Sequence, residues 1–377
     1  MQISKCERNS KMQNSELTIR NEEQIIFSLR SLFEKYGYSQ YKMTKFEEYD
    51  LYVRNKDFLM SDNVITFNDT NGKLMALKPD VTLSIIKNSK DVEGGLNKVY
   101  YNENVYRVSK STGSFKEIMQ TGLECLGDID DYCISEVLTL AAKCLGAIPG
   151  KSILCIGNLD IVSYAVEKAT DDKETKKAIL CCIGEKNLHS LSAICSENGI
   201  SDENKNILSS LVSLHGVPSA VISKLKEIIP ECEVVNKFEK ILSSLDNSIK
   251  EIIDIDFSYV GDFKYYNGLV FKGFIDGIPT AVISGGQYDK LMKKMGRSSK
   301  AIGFAVYLDC LDRLDTDGNE YDVDTVLLYD ENADISSLGK EVENLTAAGN
   351  RVLATKKCPE KLRYKQLITF DKEGAKI

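Results

Sequence analysis

Apolar residues at Ile25, Ile26, Leu29, Leu32 and Phe33 recur at helical spacing and predict a helix over Glu22 to Tyr36, stopped by Gly37. A strand-rich stretch follows to about Gly127, broken by polar turns such as Asn68-Asp69-Thr70-Asn71-Gly72. Residues 135–145 read as helix. From roughly Asp160 to Lys250 the period is helical again, with Lys/Glu-rich faces and breaks at Gly184, Gly199, Gly216, Pro218 and Pro230. Strands resume at Asp254. Lys264 to Ile275, Asp276-Gly277 and Pro279 to Ser284 read as a hairpin with an Asp-Gly turn. Gly285-Gly286 leads into a short helix over Tyr288 to Met295, and Ala301 to Leu314 is an apolar strand-to-helix segment. The polar run Asp315 to Asp322 reads as a linker. Beyond it a strand (324–329), a helix (335–348) and a strand (351–354) form a small α/β unit. Strands joined mostly by hairpins, with helices set apart, argue an α+β fold on an antiparallel sheet.

Composition narrows the class. A chain of 377 residues with 43% hydrophobic and 28% charged positions has the balance of a globular protein of two or three domains. No apolar run approaches the roughly 18 residues of a membrane span, and the polar N-terminus lacks a signal-peptide core, so a cytoplasmic location is expected. The eleven cysteines are scattered through apolar runs without a C-x-x-C pair, which favours reduced core thiols. His189 and His215 have no ligand-spaced neighbours, so no metal is expected. A net charge of −8 argues against bulk electrostatic binding of nucleic acid.

Four segments carry candidate chemistry. In Leu77-Lys78-Pro79-Asp80-Val81-Thr82, an acid two residues before a threonine is equally a helix cap or a pocket group. In Val99 to Gly127, a strand ending at Tyr106-Arg107 turns and returns. On the return strand Met119, Thr121, Leu123 and Cys125 face a core, while Gln120, Gly122 and Glu124 face the other way. That second face is either an exposed sheet surface or a polar pocket floor with room above its glycine, and the neighbouring glycine and arginine favour the pocket. The third segment, Gly261 to Gly268, holds the pair Tyr265-Tyr266, ordinarily one core and one exposed residue of a strand. The fourth is Ser284 to Leu291 followed by Ala301 to Ala305, where a glycine pair after a strand permits close approach of a ligand or backbone.

In this order, over roughly residues 20 to 314, the segments resemble the catalytic domain of histidyl-tRNA synthetase, a class II synthetase fold. Residues 37–50 resemble its dimer-forming first motif, with Thr44 at the usual proline. Lys78-Pro79-Asp80-Val81-Thr82 resembles its Arg-Pro-Glu-x-Thr, Arg107 to Gly127 its second motif, and residues 284–314 its third. The resemblance implies a class II synthetase-like domain over 1–316, interrupted by a helical insertion at about 160–250, and an abbreviated anticodon-binding-like unit over 323–377. It also implies a histidine site. Asp80, Thr82 and Gln120 would receive the α-ammonium, Glu124 with Tyr265 or Tyr266 the imidazole, and Arg107 the carboxylate.

The departures bear on activity. Gly261 and Cys310 stand where the synthetase has arginines for adenylate formation and ATP, and Ser109 where it reads adenine. Charge developing on the α-phosphate needs fixed cations, and losing one such donor typically costs about 2.7–4 kcal/mol. Lys110 and Lys116 are nearby, but a lysine does not reproduce a guanidinium fork. Keeping the amino-acid groups while losing those for ATP resembles the paralogous family of ATP phosphoribosyltransferase regulatory subunits, whose motif typically reads Arg-Pro-Asp-x-Thr. That resemblance implies a non-catalytic chain without cofactor, metal or nucleic acid. Its partners would be free histidine and the short-form ATP phosphoribosyltransferase catalytic subunit, in a hetero-octamer built on homodimers of this chain. The rival readings are a divergent histidyl-tRNA synthetase and a synthetase-like binding protein of an unrelated complex.

Overall fold

The computed structural model describes residues 21–59, 64–90, 94–108, 112–259, 265–313, 321–371 and 374–376. Two compact units are present, one over Gln24–Leu314 and one whose described residues are 21–23, 321–371 and 374–376.

The first unit opens with α1 (Asn21–Lys35), β1 (Ser39–Gln40), β2 (Phe46–Glu48), α2 (Tyr49–Arg54), β3 (Thr66–Asn68), β4 (Leu74–Leu77) and α3 (Thr82–Asn88). The long hairpin β5 (Leu96–Val108) and β6 (Phe115–Gly127) follows, then α4 (Asp131–Gly146) and β7 (Ser152–Asn158). The helical block comprises α5 (Leu159–Ala169), α6 (Lys173–Gly184), α7 (Leu188–Glu197), α8 (Asp202–Ser213), β8 (His215–Gly216), α9 (Pro218–Ile228), α10 (Glu233–Ser243) and α11 (Asn247–Lys250). It is followed by β9 (Ile253–Asp256), β10 (Asn267–Ile275), β11 (Ile283–Gln287), α12 (Asp289–Lys294) and β12 (Lys300–Tyr307).

A nine-stranded sheet, in the order β1-β5-β6-β12-β11-β10-β7-β9-β8, organises this unit. Its pairings are antiparallel except β1 with β5 and β7 with β9. The fold class is therefore α+β, as the hairpin-rich pattern predicts. One sheet face is covered by the apolar side of α4, where Ile134, Val137, Leu138, Ala141 and Leu145 are buried, together with Leu29 and Phe33 of α1. Asp130 caps α4, its Oδ1 accepting from the Cys133 N–H at 2.8 Å. The helices of this block are held by apolar stripes such as Val235, Phe238, Ile241 and Leu242 of α10. The ten described cysteines are free.

Two expectations need correction. The Asp-Gly turn does not close a two-residue hairpin: β11 begins at Ile283, and Val282 N–H donates to Gly273 O. Pro279 lacks the N–H a ladder requires, so residues 276–282 form a wide loop. The pair Gly285-Gly286 lies inside β11 rather than after it. A Cβ on Gly286 would come within 2.7 Å of Leu269 O and 2.8 Å of a Tyr266 ring carbon. The close approach of another backbone expected of this glycine pair accounts for Gly286, although the pair lies within the strand.

The second unit contains β13 (Val323–Tyr329), α13 (Ile335–Ala347), β14 (Val352–Thr355), β15 (Tyr364–Asp371) and β16 (Gly374–Lys376), in sheet order β14-β13-β15-β16. Its core is Leu327, Ile368 and Phe370 under Leu338, Val342 and Leu345 of α13. The last two strands were not read from the sequence.

Candidate functional site

The floor of the site is one face of three adjacent strands. Gln120, Gly122 and Glu124 of β6 share that face, and register places Tyr307, Ala305 and Gly303 of β12 beside them in that order. Ser284 and Gly286 of β11 extend the rows from Ala305 and Gly303. The alternate residues Leu123, Cys125, Ile302, Phe304 and Val306 enter the main core on the opposite face. Small residues clear the middle of the floor. Gly303 is obligatory, because a Cβ there would lie 1.8 Å from Glu124 Oε2 and 2.5 Å from Leu123 O.

The walls come from four places: Asp80 and Thr82 at the start of α3, Tyr101 and Arg107 of β5, Tyr265 and Tyr266 before β10, and Tyr288 before α12. Together they bound a small cleft with about 400 Å³ of non-atom space, part of it open to solvent. All seven residues singled out in the sequence, Asp80, Thr82, Arg107, Gln120, Glu124, Tyr265 and Tyr266, border this one cleft. Tyr101, Ser284, Tyr288 and Tyr307 also border it, although sequence reasoning gave them no role. For Tyr101 the missed signal was its parity with Val99 and Glu103 on β5, opposite Gly122.

Glu124 is the electrostatic centre. It is only 2% exposed. Thr82 Oγ1 donates to its Oε1 at 2.7 Å and the Tyr288 hydroxyl to its Oε2 at 2.5 Å. Burial pushes its pKa up to about 8; the two hydroxyl donors pull the other way, and the Asp80 carboxyl adds to the rise. Burial therefore favours the neutral carboxyl at this position.

Asp80 fulfils both readings left open by its sequence. Its Oδ1 accepts from the Leu83 N–H at 2.9 Å, capping α3, while the side chain borders the cleft. Burial raises its pKa, opposed by that hydrogen bond and by the nearby Arg107 charge. Arg107 in turn donates from Nε to Pro79 O at 3.0 Å, tying the loop that carries Asp80 to the hairpin. Two buried atoms of the floor, Gln120 Nε2 and Ser284 Oγ, have no protein partner. An unsatisfied buried polar atom costs about 1–3 kcal/mol, so both favour a polar ligand.

Lys78 does not face the cleft. It is 1% exposed and ion-paired with Glu103 of β5, which lies opposite Gln120 on the same sheet face, so the motif's first residue braces the hairpin beside the cleft without lining it. Cys310 sits in a 3₁₀ turn over Leu308–Arg313, half-buried, its thiol 3.5 Å from Thr280 Oγ1. Gly261, Ser109 and Lys110 lie outside the described residues, and Lys116 is exposed on β6 opposite Arg107. Among the described residues lining the cleft, Arg107 is the only permanent cation. No cluster of three or more potential metal ligands occurs among the described residues, and no described helix is long and apolar enough to cross a membrane.

The sequence model of the histidyl-tRNA synthetase family matches residues 15–311. The chain belongs to the histidyl-tRNA synthetase family. Within that family its similar relatives include proteins named ATP phosphoribosyltransferase regulatory subunit. The protein from Oceanobacillus iheyensis is 27% identical over 305 residues, covering 78% of this chain and 74% of the relative. That from Clostridium kluyveri is 29% identical over 317 residues, covering 80% of each. Solved structures agree on the synthetase-family fold. A regulatory subunit/histidyl-tRNA synthetase from Bacillus halodurans superposes with a TM-score of 0.75 at 22% identity, over 93% of both chains. Histidyl-tRNA synthetase from Nostoc gives 0.66 at 16% identity, over 90% of this chain and 83% of that one. A chain of the ATP phosphoribosyltransferase (HisG:HisZ) complex of Thermotoga maritima gives 0.60 at 20% identity, over 76% of this chain and 97% of that one.

Proposed function

We propose that this chain is the non-catalytic regulatory subunit of an ATP phosphoribosyltransferase, required for the first step of histidine synthesis and inhibited through it by free histidine. The observation that carries the reading is the cleft itself. The amine and imidazole partners expected for histidine border one cleft together with the buried acid Glu124, while Arg107 is the only permanent cation among the described lining residues. An amino-acid zwitterion needs one guanidinium for its carboxylate. A triphosphate undergoing attack needs several fixed cations, and the uncharged Cys310 thiol supplies none. The names carried by the relatives support the same reading.

In this proposal Asp80, Thr82 and Gln120 receive the α-ammonium, Arg107 holds the carboxylate, and Glu124 with Tyr265 or Tyr266 binds the imidazole. The partner is the short-form catalytic chain, in a cytoplasmic hetero-octamer built on dimers of this one. Histidine would favour one arrangement of that assembly with a coupling of about 1–3 kcal/mol. The second unit, a four-stranded sheet bearing one helix, is read as an abbreviated anticodon-binding-like domain.

The family match itself favours a second reading, a divergent synthetase. Calorimetry of the chain with histidine and ATP separately, beside histidine-dependent pyrophosphate–ATP exchange, tests the two. Heat with histidine alone and no exchange is expected; tight ATP binding or exchange refutes the regulatory reading.

A further inference from the structure

Glu124 is held from two sides, and the two elements that hold it meet again at their far ends. Thr82, the first residue of α3, donates to its Oε1, and Tyr288, the residue before α12, donates to its Oε2. At the other end of α3, the main-chain oxygens of Ile86 and Lys87 accept from Arg297 Nη2 at 3.1 and 3.2 Å. Arg297 lies three residues beyond the end of α12. Glu124, α3, Arg297 and α12 therefore close a ring, in which each helix spans about 10 Å at its rise of about 1.5 Å per residue.

The position of Arg297 is fixed by its own chain. Gly296 adopts a φ of +75°. Its N–H donates to Lys293 O at 3.0 Å and the Arg297 N–H to Met292 O at 2.9 Å, the paired bonds of a Schellman turn that ends α12. Leu291 and Met292 are buried, and Asp289 Oδ1 accepts from the Ala301 N–H at 3.0 Å, so α12 is anchored to β12. The seven residues of α3 make only two turns, too few to persist alone, so its placement follows from its contacts. Ile86 and Lys87 belong to its last turn, where carbonyls lack internal donors and a cation complements the helix dipole. Ser84 and Lys87 also donate to Glu47 of β2. Without Arg297, α3 stays attached, but to β2 and no longer to α12.

We propose that Arg297 is a positioning residue of the cleft: by tying the end of α3 to the turn after α12, it keeps Thr82 and Tyr288 on opposite oxygens of the Glu124 carboxyl. Released from this tie, α3 follows β2 and Thr82 withdraws from Oε1. The ring is complete without a ligand, so this role goes beyond the histidine reading, and only one arm of the test rests on that reading.

The test compares the full chain as wild type with three variants. Arg297→Met keeps an unbranched stem and removes the donors, and Arg297→Lys restores a cationic donor. Gly296→Ala keeps Arg297 but strains the turn that aims it. The readout is the Glu124 carboxyl resonance of protein carrying 13C-labelled glutamate, assigned with Glu124→Gln and followed against pH without ligand. Asp80, Tyr101, Tyr265 and Tyr288 act on the same carboxyl and remain in every variant. The Thr82 bond lowers the Glu124 pKa, so its loss in Arg297→Met and Gly296→Ala is expected to move the midpoint above about 8, with Arg297→Lys in between. By calorimetry, L-histidine is expected to bind Arg297→Met roughly fivefold more weakly than wild type. A purely structural role would lower the unfolding midpoint and leave the titration where it is, and that result overturns the proposal. If Arg297→Met does not fold, Gly296→Ala decides by the same titration. If wild type binds no histidine, the histidine reading fails, while the titration still decides for or against Arg297.

Discussion

Replacing Glu124 by Gln preserves shape and most hydrogen-bonding capacity while removing the buried ionisable group, and the structure sets the size of the effect. Burial holds the folded-state pKa at about 8, against 4.5 for the ordinary glutamate of an unfolded chain. Between those two values the unfolded chain has released this proton and the folded chain has kept it. Stability is therefore fully present below about pH 4.5, falls as pH rises, and levels off above about pH 8. The shift corresponds to at most roughly 5 kcal/mol across the window, with a limiting slope of about 1.4 kcal/mol per pH unit. Glu124→Gln lacks this component. At pH 5 it should be less stable than wild type by about 1 kcal/mol, because an amide satisfies Thr82 and Tyr288 less completely than a carboxyl. By pH 8 it should have gained several kcal/mol relative to wild type. Urea unfolding of both ligand-free proteins at half-unit steps from pH 5 to 9 measures the difference directly. Parallel stability profiles would show that the folded carboxyl is already ionised at neutral pH, and the electrostatic picture of the cleft would be wrong.

Other outcomes follow from the same geometry. If the bound pair of Glu124 and imidazole shares one proton, histidine affinity should be flat between about pH 6.5, the reference imidazole value, and about pH 8. It should weaken below that window, where binding must expel a proton, and above it, where binding must take one up; calorimetry in buffers of different ionisation heat checks both limbs. Gly303→Ala drives a methyl group into Glu124 Oε2 and Leu123 O, so histidine binding should be lost and the melting temperature should fall. Arg107→Lys removes the Nε bond to Pro79 O and the planar fork, and the histidine Kd should rise about tenfold, or about 1.4 kcal/mol. Lys78→Met leaves the half-buried Glu103 without its ion-pair partner and should destabilise the fold by about 3–5 kcal/mol in urea titrations.

Much of this architecture is legible in the sequence because its signals are local. The spacing of Ile25, Leu29 and Phe33 places α1 to within a residue or two at either end, and the helical period between Asp160 and Lys250 marks the helical block. The alternation Met119 to Cys125 separates a core face from a polar one, and β6 lies in that orientation. What escaped depends on distant partners. Tyr288 is the second buried donor to Glu124, 164 positions away in sequence, and only sheet register brings them together. Ser284 gains its place because β11 pairs with β12 and β12 with β6, a relation no window of neighbouring residues contains. The hairpin loop was read too short because the Asp-Gly turn signal outweighed a proline four residues before the start of β11, and β15 was missed among the Lys-rich polar positions of the tail.

The double engagement of Asp80 has a practical consequence for anyone redesigning this cleft. One carboxyl terminates a seven-residue helix and also borders the chamber, so recognition there is welded to the main chain. Truncating Asp80 would fray the helix start and displace Thr82 with it, and the lost affinity would mostly measure backbone disorder. Ser284 rides on a central strand and its Oγ bonds no protein atom, so a substitution there leaves the main chain undisturbed where one at Asp80 does not.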